Sequence, residues 1–322
     1  MRQFVRYGRT LAAQFAMAAA LLGALTSLVS CQKAENVASP KPVQKTFASP
    51  ADAGTALFEA AKSADQQALV AIFGPDAKEF LSSGDAVSDK DSLQAFVAAY
   101  GQMHRWIAIK SGGEMLVTGA DNFKFPIPLG QNEAGQWFYD TAAGKDELLA
   151  RRIGGNELSA IAACTALARA ENEYFSRPRN GEKAKQYAQK LVSDAGTQDG
   201  LYWAAAPGQQ PSPLEDARDF AKALGYTSAG NQPQPFEGYQ FRILTKQGSS
   251  AKGGAKDYIV DGKMTGGFAV VAYPAEYRNS GIMTFVVGPD GIVYQKDFGT
   301  DTTTLGKDLT SYDPSDGWSS AI

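Results

Sequence analysis

WIAIK at 106–110, EMLVT at 114–118, FKFPIPL at 123–129 and QWFYD at 136–140 are four short apolar runs, rich in aromatic and branched residues, with Gly, Asn and Asp between them. Runs of that length and composition, bounded by turn formers, read as strands. They decide the fold because of what precedes them. From Ser49 to about Tyr100 the apolar residues recur at helical spacing instead. Ser49, Pro50 and Asp52 supply a cap, a first-turn proline and an acid three residues after the cap, ahead of an apolar face of Leu57, Phe58 and Ala61. A second helix is predicted from Asp65 through Leu69, Ile72 and Phe73, stopping at Gly74-Pro75. A third covers Asp76 to Leu81, and a fourth begins near Ser88 and carries Leu93, Phe96, Val97 and Tyr100. Helices followed by antiparallel strands make an α+β unit. Pro126 and Pro128 lack the N–H a central strand needs, which puts the third run at a sheet edge.

Downstream the pattern repeats. Residues 145–153 read as a short helix ended by Gly154-Gly155, after which Asn156 caps a longer one with Leu158, Ile161, Ala162, Thr165 and Ala168 on one face, continuing to Phe175. A looser region to about Asn231 contains a predicted helix from Lys183 to Leu191. Another is announced by Ser212, Pro213 and Glu215, with Leu214, Ala217, Phe220 and Leu224 as its apolar face and Gly225 as its stop. Strands return at Tyr239–Thr245, Asp257–Val260, Gly267–Tyr273, Met283–Val287 and Ile292–Lys296, with hairpin turns at Asp261-Gly262 and Pro289-Asp290-Gly291. The expected architecture is therefore α+β in two small domains, 49–142 and 143–300, each with helices packed on an antiparallel sheet. The Ser, Thr and Asp-rich tail, 301–322, is expected to be loose.

The first nine residues carry Arg2, Arg6 and Arg9 and no acid, and a mostly apolar stretch follows from Leu11 to Val29. That is the profile of a signal peptide, here residues 1–30. A membrane span is the competing reading, since the stretch is close to the roughly 20 residues a span needs. Leu28-Val29-Ser30-Cys31 matches a bacterial lipobox: an aliphatic residue three before the cysteine and a small one just before it. Cys31 is the expected lipidation site, and acyl chains on it would anchor the protein to an envelope membrane. Gln32 and Lys33, rather than an acid, resemble lipoproteins forwarded to the outer membrane, facing the periplasm. Residues 31–48 read as a polar tether with Pro40 and Pro42.

Cleavage before Cys31 removes three of 31 basic residues and none of 34 acids, leaving a formal charge of −6. A mildly acidic body repels nucleic acid, so no such partner is expected. With Cys31 acylated, Cys164 is the second and last cysteine, so no internal disulfide forms, and its apolar helical setting reads as a buried, inert thiol. Neither Gly-x-x-x-x-Gly-Lys nor Gly-x-Gly-x-x-Gly occurs, which argues against nucleotide cofactors.

Several blocks resemble the bacterial domain-of-unknown-function family 2950. They are Gly74-Pro75-Asp76-Ala77, Phe125-Pro126-Ile127-Pro128-Leu129, Asp140-Thr141-Ala142-Ala143-Gly144-Lys145, Asp199-Gly200-Leu201-Tyr202-Trp203, and the string from Gly262 to Asp297 that includes Tyr273-Pro274-Ala275-Glu276-Tyr277. The resemblance implies kinship and an envelope address but no chemistry. In layout, residues 49–140 are similar to nuclear-transport-factor-2-like cones, which are pocket-forming scaffolds with many uses. Residues 156–297 are similar to type IV pilin and pseudopilin heads, although a whole domain stands where pilins have an apolar N-terminal helix.

Chemistry is sparse. The one histidine, His104, lies at a helix-to-strand junction with no second histidine to complete a zinc site or elbow serine to complete a triad. Ser249-Ser250-Ala251-Lys252 matches Ser-x-x-Lys but falls in a Gly-rich turn without Lys-Thr-Gly. Asp194, Asp199 and Gly200, and Asp297 with Asp301, are acid-bearing loops that miss the EF-hand spacing. No cofactor or metal is expected. Aromatics are the remaining signal: Tyr202, Trp203, Tyr239, Tyr273 and Tyr277 gather in the second domain's loops and strand ends, where amphipathic rings can meet a ligand or partner. Tyr202, Trp203, Tyr273, Tyr277 and Arg278 are the candidate binding residues, while Phe125, Trp137 and Tyr139 are expected to face the first domain's helices or its concave side. The expected function is a non-enzymatic binding or assembly module for an envelope protein, a peptide or a small ligand. Two alternatives stay open: an envelope hydrolase working through paired carboxylates, and an accessory of a pilus or secretion system.

Overall fold

The computed structural model describes residues 43–110, 112–215, 234–315 and 317–321. The signal peptide, the lipobox with Cys31 and most of the tether lie outside the described residues, as does the helix expected beyond Glu215.

The helices ahead of the first sheet form where their caps announce them. Helix α1 (Pro50–Lys62) starts on Ser49, whose side chain accepts the Asp52 N–H, and α2 (Gln66–Phe73) on Asp65, which accepts from Ala68. Gly74 at φ +92° ends α2, and a 3₁₀ turn leads into α3 (Lys78–Leu81). Helix α4 (Ala86–Gln102) begins two residues before the predicted Ser88, because Asp85 caps the Val87 and Ser88 N–H groups.

Strands β1 (His104–Ala108), β2 (Glu114–Thr118), β3 (Phe123–Lys124), β4 (Leu129–Gln131) and β5 (Trp137–Tyr139) follow in an antiparallel sheet of order β1-β2-β4-β5, with β3 also on β2. The run predicted as one strand from Phe123 to Leu129 is two, since Pro126 and Pro128 cannot donate to a ladder. Phe47 pairs with Trp137 and extends the β5 edge. Phe73, Phe80, Tyr100, Ile127, Leu129 and Tyr139 are buried between sheet and helices.

Helix α5 (Thr141–Phe175) corrects the sequence reading. The predicted break at Gly154-Gly155 is absent and 35 residues run as one helix. A glycine ends a helix when it turns to positive φ. Neither of these does, and Asn156, the predicted cap, sits inside the helix with its side chain donating to the Ser280 carbonyl at 2.9 Å. At its start, Gly144 lets α5 lie on the backbone of Pro126 and Ile127, where a Cβ would come within 2.6 Å of the Pro126 oxygen. No described helix is long and apolar enough to cross a membrane.

Beyond α5 the Lys183–Leu191 helix does not form. The segment is extended, held by the Tyr187 N–H on the Met264 carbonyl and the Ala188 N–H on Glu171, and ends in β6 (Lys190–Val192), parallel to β7 (Gly200–Tyr202). Next come β8 (Tyr239–Leu244), β9 (Lys246–Gln247), β10 (Lys256–Asp257), β11 (Ile259–Val260), β12 (Lys263–Met264), β13 (Ala269–Pro274), β14 (Thr284–Val287) and β15 (Val293–Lys296). Asp261 and Gly262, both at positive φ, close the β11–β12 hairpin as predicted.

The expected loose tail is instead ordered into the fold. Helix α6 (Thr302–Asp308) packs against β13, Tyr312 is buried, and β16 (Ser319–Ser320) pairs with β15. The main sheet is thus β16-β15-β14-β13-β8, antiparallel throughout. Its aliphatic residues, from Val270 to Val287, join Ile161, Cys164, Leu167 and Ala168 of α5 in a second core. No break in packing separates this half from the first: the chain from Lys41 on is one compact unit, with α5 contributing to both cores.

Candidate functional site

The candidate binding residues separate once folded. Tyr202 and Trp203 are core residues, 3% and 4% exposed, with the Trp203 indole N–H on the Gln210 carbonyl at 3.1 Å. Tyr239 is fully buried and donates to the Met283 carbonyl at 2.9 Å. An aromatic docking surface cannot be made of rings that face inward. Tyr273 is half-buried on β13 beside Gly306. Tyr277 and exposed Arg278 stay together on one loop, the guanidinium 5.8 Å from the ring, with Arg278 at φ +62°.

That loop leads to a site the aromatic reading missed. Asn279, next in the chain, accepts from Arg152 Nη1 at 2.6 Å and donates to the Ser82 carbonyl and the Glu276 carboxylate. Arg152 reaches back to the first half, where Nη2 donates to the Phe80 carbonyl at 2.5 Å. Its guanidinium stands at a cavity of about 170 Å³ in the first core. Leu57, Leu69 and Phe73 of α1 and α2 line it, with Leu93 and Phe96 of α4, Phe125, and Leu148 of α5. Leu93 and Phe96 were predicted as a buried helix face. They remain partly exposed because they wall this space rather than fill it.

The polar groups of the cavity are few. Asp89, one turn into α4, holds its carboxylate on the Ser83 N–H and hydroxyl, the latter at 2.7 Å. Burial pulls the Arg152 guanidinium below its ordinary range, while Asp89 and Glu276 favour its charged form. Among the described residues Asp89 and Arg152 are not in ion-pair contact. Two opposite charges thus face one apolar space, each held by neutral partners. The sequence signal for Arg152 was its place four residues after Leu148, on the helix face that carries the apolar side chain.

The base of the rim is stitched to the second half. Asp85 Oδ2 accepts the Gly238 N–H at 3.0 Å, and Glu157 accepts from Ile282 and Met283. Burial raises the Glu237 carboxyl, with Asp85 and Asp91 adding to the shift. Asp85, however, accepts three backbone N–H groups, so its oxygens hold the fold together rather than facing a reactant.

The remaining candidates are structural. His104 stacks on Tyr100 at 3.9 Å with its ring nitrogen 3.0 Å from the Tyr100 carbonyl oxygen. Cys164 is fully buried, and burial pushes its thiol up to about 12. Lys190 sits between Asp194 and Asp199, at 2.5 and 2.7 Å, and an ammonium there fills the place a cation would take. Asp297 accepts the Gly299 N–H in the other loop. Among the described residues no group of three or more His, Cys, Asp or Glu stands where it could hold a metal ion.

The family model described as "Protein of unknown function (DUF2950)" matches residues 44–321, and the chain belongs to that family. No curated protein and no solved structure matches the chain.

Proposed function

We propose that this DUF2950 protein is a non-enzymatic binding module of the bacterial cell envelope, and that its ligand is a small molecule with an apolar body held between α1, α2, α4 and α5. The observation that carries the proposal is the cavity: about 170 Å³, lined mainly by apolar side chains, with Arg152 and Asp89 as its charged groups and Gln66 and Ser92 as its neutral polar ones. Binding sites are typically apolar spaces with a few placed polar groups. An engineered cavity of about 150 Å³ is already enough to take up benzene. A hydrolase built on paired carboxylates is supported less well, because Asp85, the partner nearest in charge to Glu237, is committed to backbone N–H groups.

The test is a thermal-denaturation titration with benzene. A ligand at 100 times its dissociation constant stabilises the folded state by about 2.7 kcal/mol, so wild type should rise in melting temperature and saturate. Leu93→Trp, which fills the space, should melt normally and show no rise. A wild-type protein unmoved by benzene and by the larger apolar probes named below sinks the proposal.

The envelope address is proposed on the charge and apolarity of residues 1–30 and the lipobox at Cys31. Cys31→Ser should leave the protein unprocessed or in the soluble fraction. Recovery of a mature membrane-bound form would remove the anchor.

A further inference from the structure

We propose that the ligand is a free apolar α-amino acid, its side chain in the cavity, its carboxylate on Arg152 and its ammonium on Asp89. The proposal rests on the ligand site argued above. Its own ground is the separation of the two charges. Arg152 and Asp89 line one cavity without pairing, and each is oriented by neutral groups: Asn279 and the Phe80 carbonyl for Arg152, Ser83 for Asp89. A guanidinium has five N–H donors. Among the described residues two are used, which leaves donors for a carboxylate. Among the described residues Asp89 accepts from Ser83 alone, and Oδ2, which takes the Ser83 N–H at 3.0 Å, keeps a further lone pair for an ammonium.

Singly charged ligands fit the rim less well. An anion on Arg152 would also face Asp89 and Glu276, the two carboxylates that act on that guanidinium. A cation on Asp89 would face Arg152. A zwitterion answers both charges, and its two groups sit on one carbon, with the apolar side chain projecting from it. At about 170 Å³ the space suits a side chain of leucine or phenylalanine size.

The experiment is calorimetric titration of the full chain with L-phenylalanine, L-leucine, 3-phenylpropanoate, phenethylamine and benzene, with the methyl NMR signals of Leu57, Leu69, Leu93 and Leu148 followed in parallel. Phenylalanine should bind at least tenfold more tightly than 3-phenylpropanoate or phenethylamine and shift the leucine methyls. Asp89→Asn should weaken phenylalanine at least tenfold and leave 3-phenylpropanoate no weaker. Because Arg152 also anchors Asn279, Arg152→Lys is the companion variant, and the analogue series on wild type needs no substitution. Equal or tighter binding of either singly charged analogue overturns the assignment while leaving the cavity reading standing. If the amino acids fail and benzene still shifts the methyls, the same holds. If no probe shifts them, both fall.

Discussion

The two cores are packed to different standards. The first is rich in rings: Phe73, Phe80, Phe125 and Tyr139 stand 5.1–6.2 Å apart, edge-on or stacked, and the helices around them leave a cavity. The second sets the valines of β13 and β14 against an alanine-rich helix, and its rings are seated differently: Tyr258 and Tyr239 lie directly on glycines. A Cβ on Gly267 would come within 2.7 Å of the Tyr258 ring, and one on Gly281 within 2.6 Å of the Tyr239 ring. Glycine thus lets rings of the second core pack onto bare backbone at these positions. The cavity on which the proposed ligand site rests is in the first half, although the second half has the more conspicuous aromatics in sequence.

The largest expected effect tests the tight core. Gly281→Ala pushes a methyl into Tyr239, whose hydroxyl is fixed on the Met283 carbonyl, and should cost about 3 kcal/mol or more in urea unfolding, at the upper end of overpacking costs. A loss under about 0.5 kcal/mol would place this site with ordinary surface substitutions and break the comparison.

Next comes the polar flaw in the second core. Glu171 is fully buried, with one oxygen on the Ala188 N–H and the other unpartnered, and burial pushes its carboxyl well above the usual carboxylate range. A carboxyl whose folded value is raised binds its proton more tightly in the folded state. Its contribution is therefore fully present below about pH 4.5, the ordinary value, and is lost as pH rises toward the raised one. Glu171→Gln keeps an acceptor for Ala188 and should melt higher than wild type at pH 8, with the gap closing by pH 4. A gap that widens on acidification would contradict the sign.

The smallest effect belongs to the waist between the cores. A Cβ on Gly154 or Gly155 meets nothing within 4 Å, and both lie inside α5. Each Gly→Ala change should stabilise by about 0.5–1 kcal/mol, the helix propensity difference. Destabilisation would show that the waist needs a flexibility the static packing does not reveal.

Most elements were legible because their signals are local. Ser49 and Asp65 cap the helices they announce, and the two strands joined at Pro289-Asp290-Gly291 begin one residue inside their predicted ends, although the short strand after Asp261-Gly262 was not predicted. The misses are where tertiary contacts override local preference. Gly154-Gly155 looked like a stop, but α5 has an apolar face to bury on each side. Lys183–Leu191 looked helical, but Glu171 and Met264 claim its N–H groups. The tail looked loose by composition, yet Tyr312 anchors it to Lys246 and Gly248. The site was hardest to see because its parts are remote: Asp89, Arg152 and Asn279 come from three separate segments, and nothing in one-dimensional spacing brings them together.

Helix α5 also decides how the molecule can be divided. A cut just before Thr141 gives a first fragment without Leu148 and Arg152, so its cavity loses one wall. A cut after Phe175 keeps that wall but carries Ile161, Cys164, Leu167 and Ala168 along as an uncovered apolar stripe, a surface on which chains associate. The boundary that the sequence reading placed near residue 142 falls at the start of a helix that both cores share.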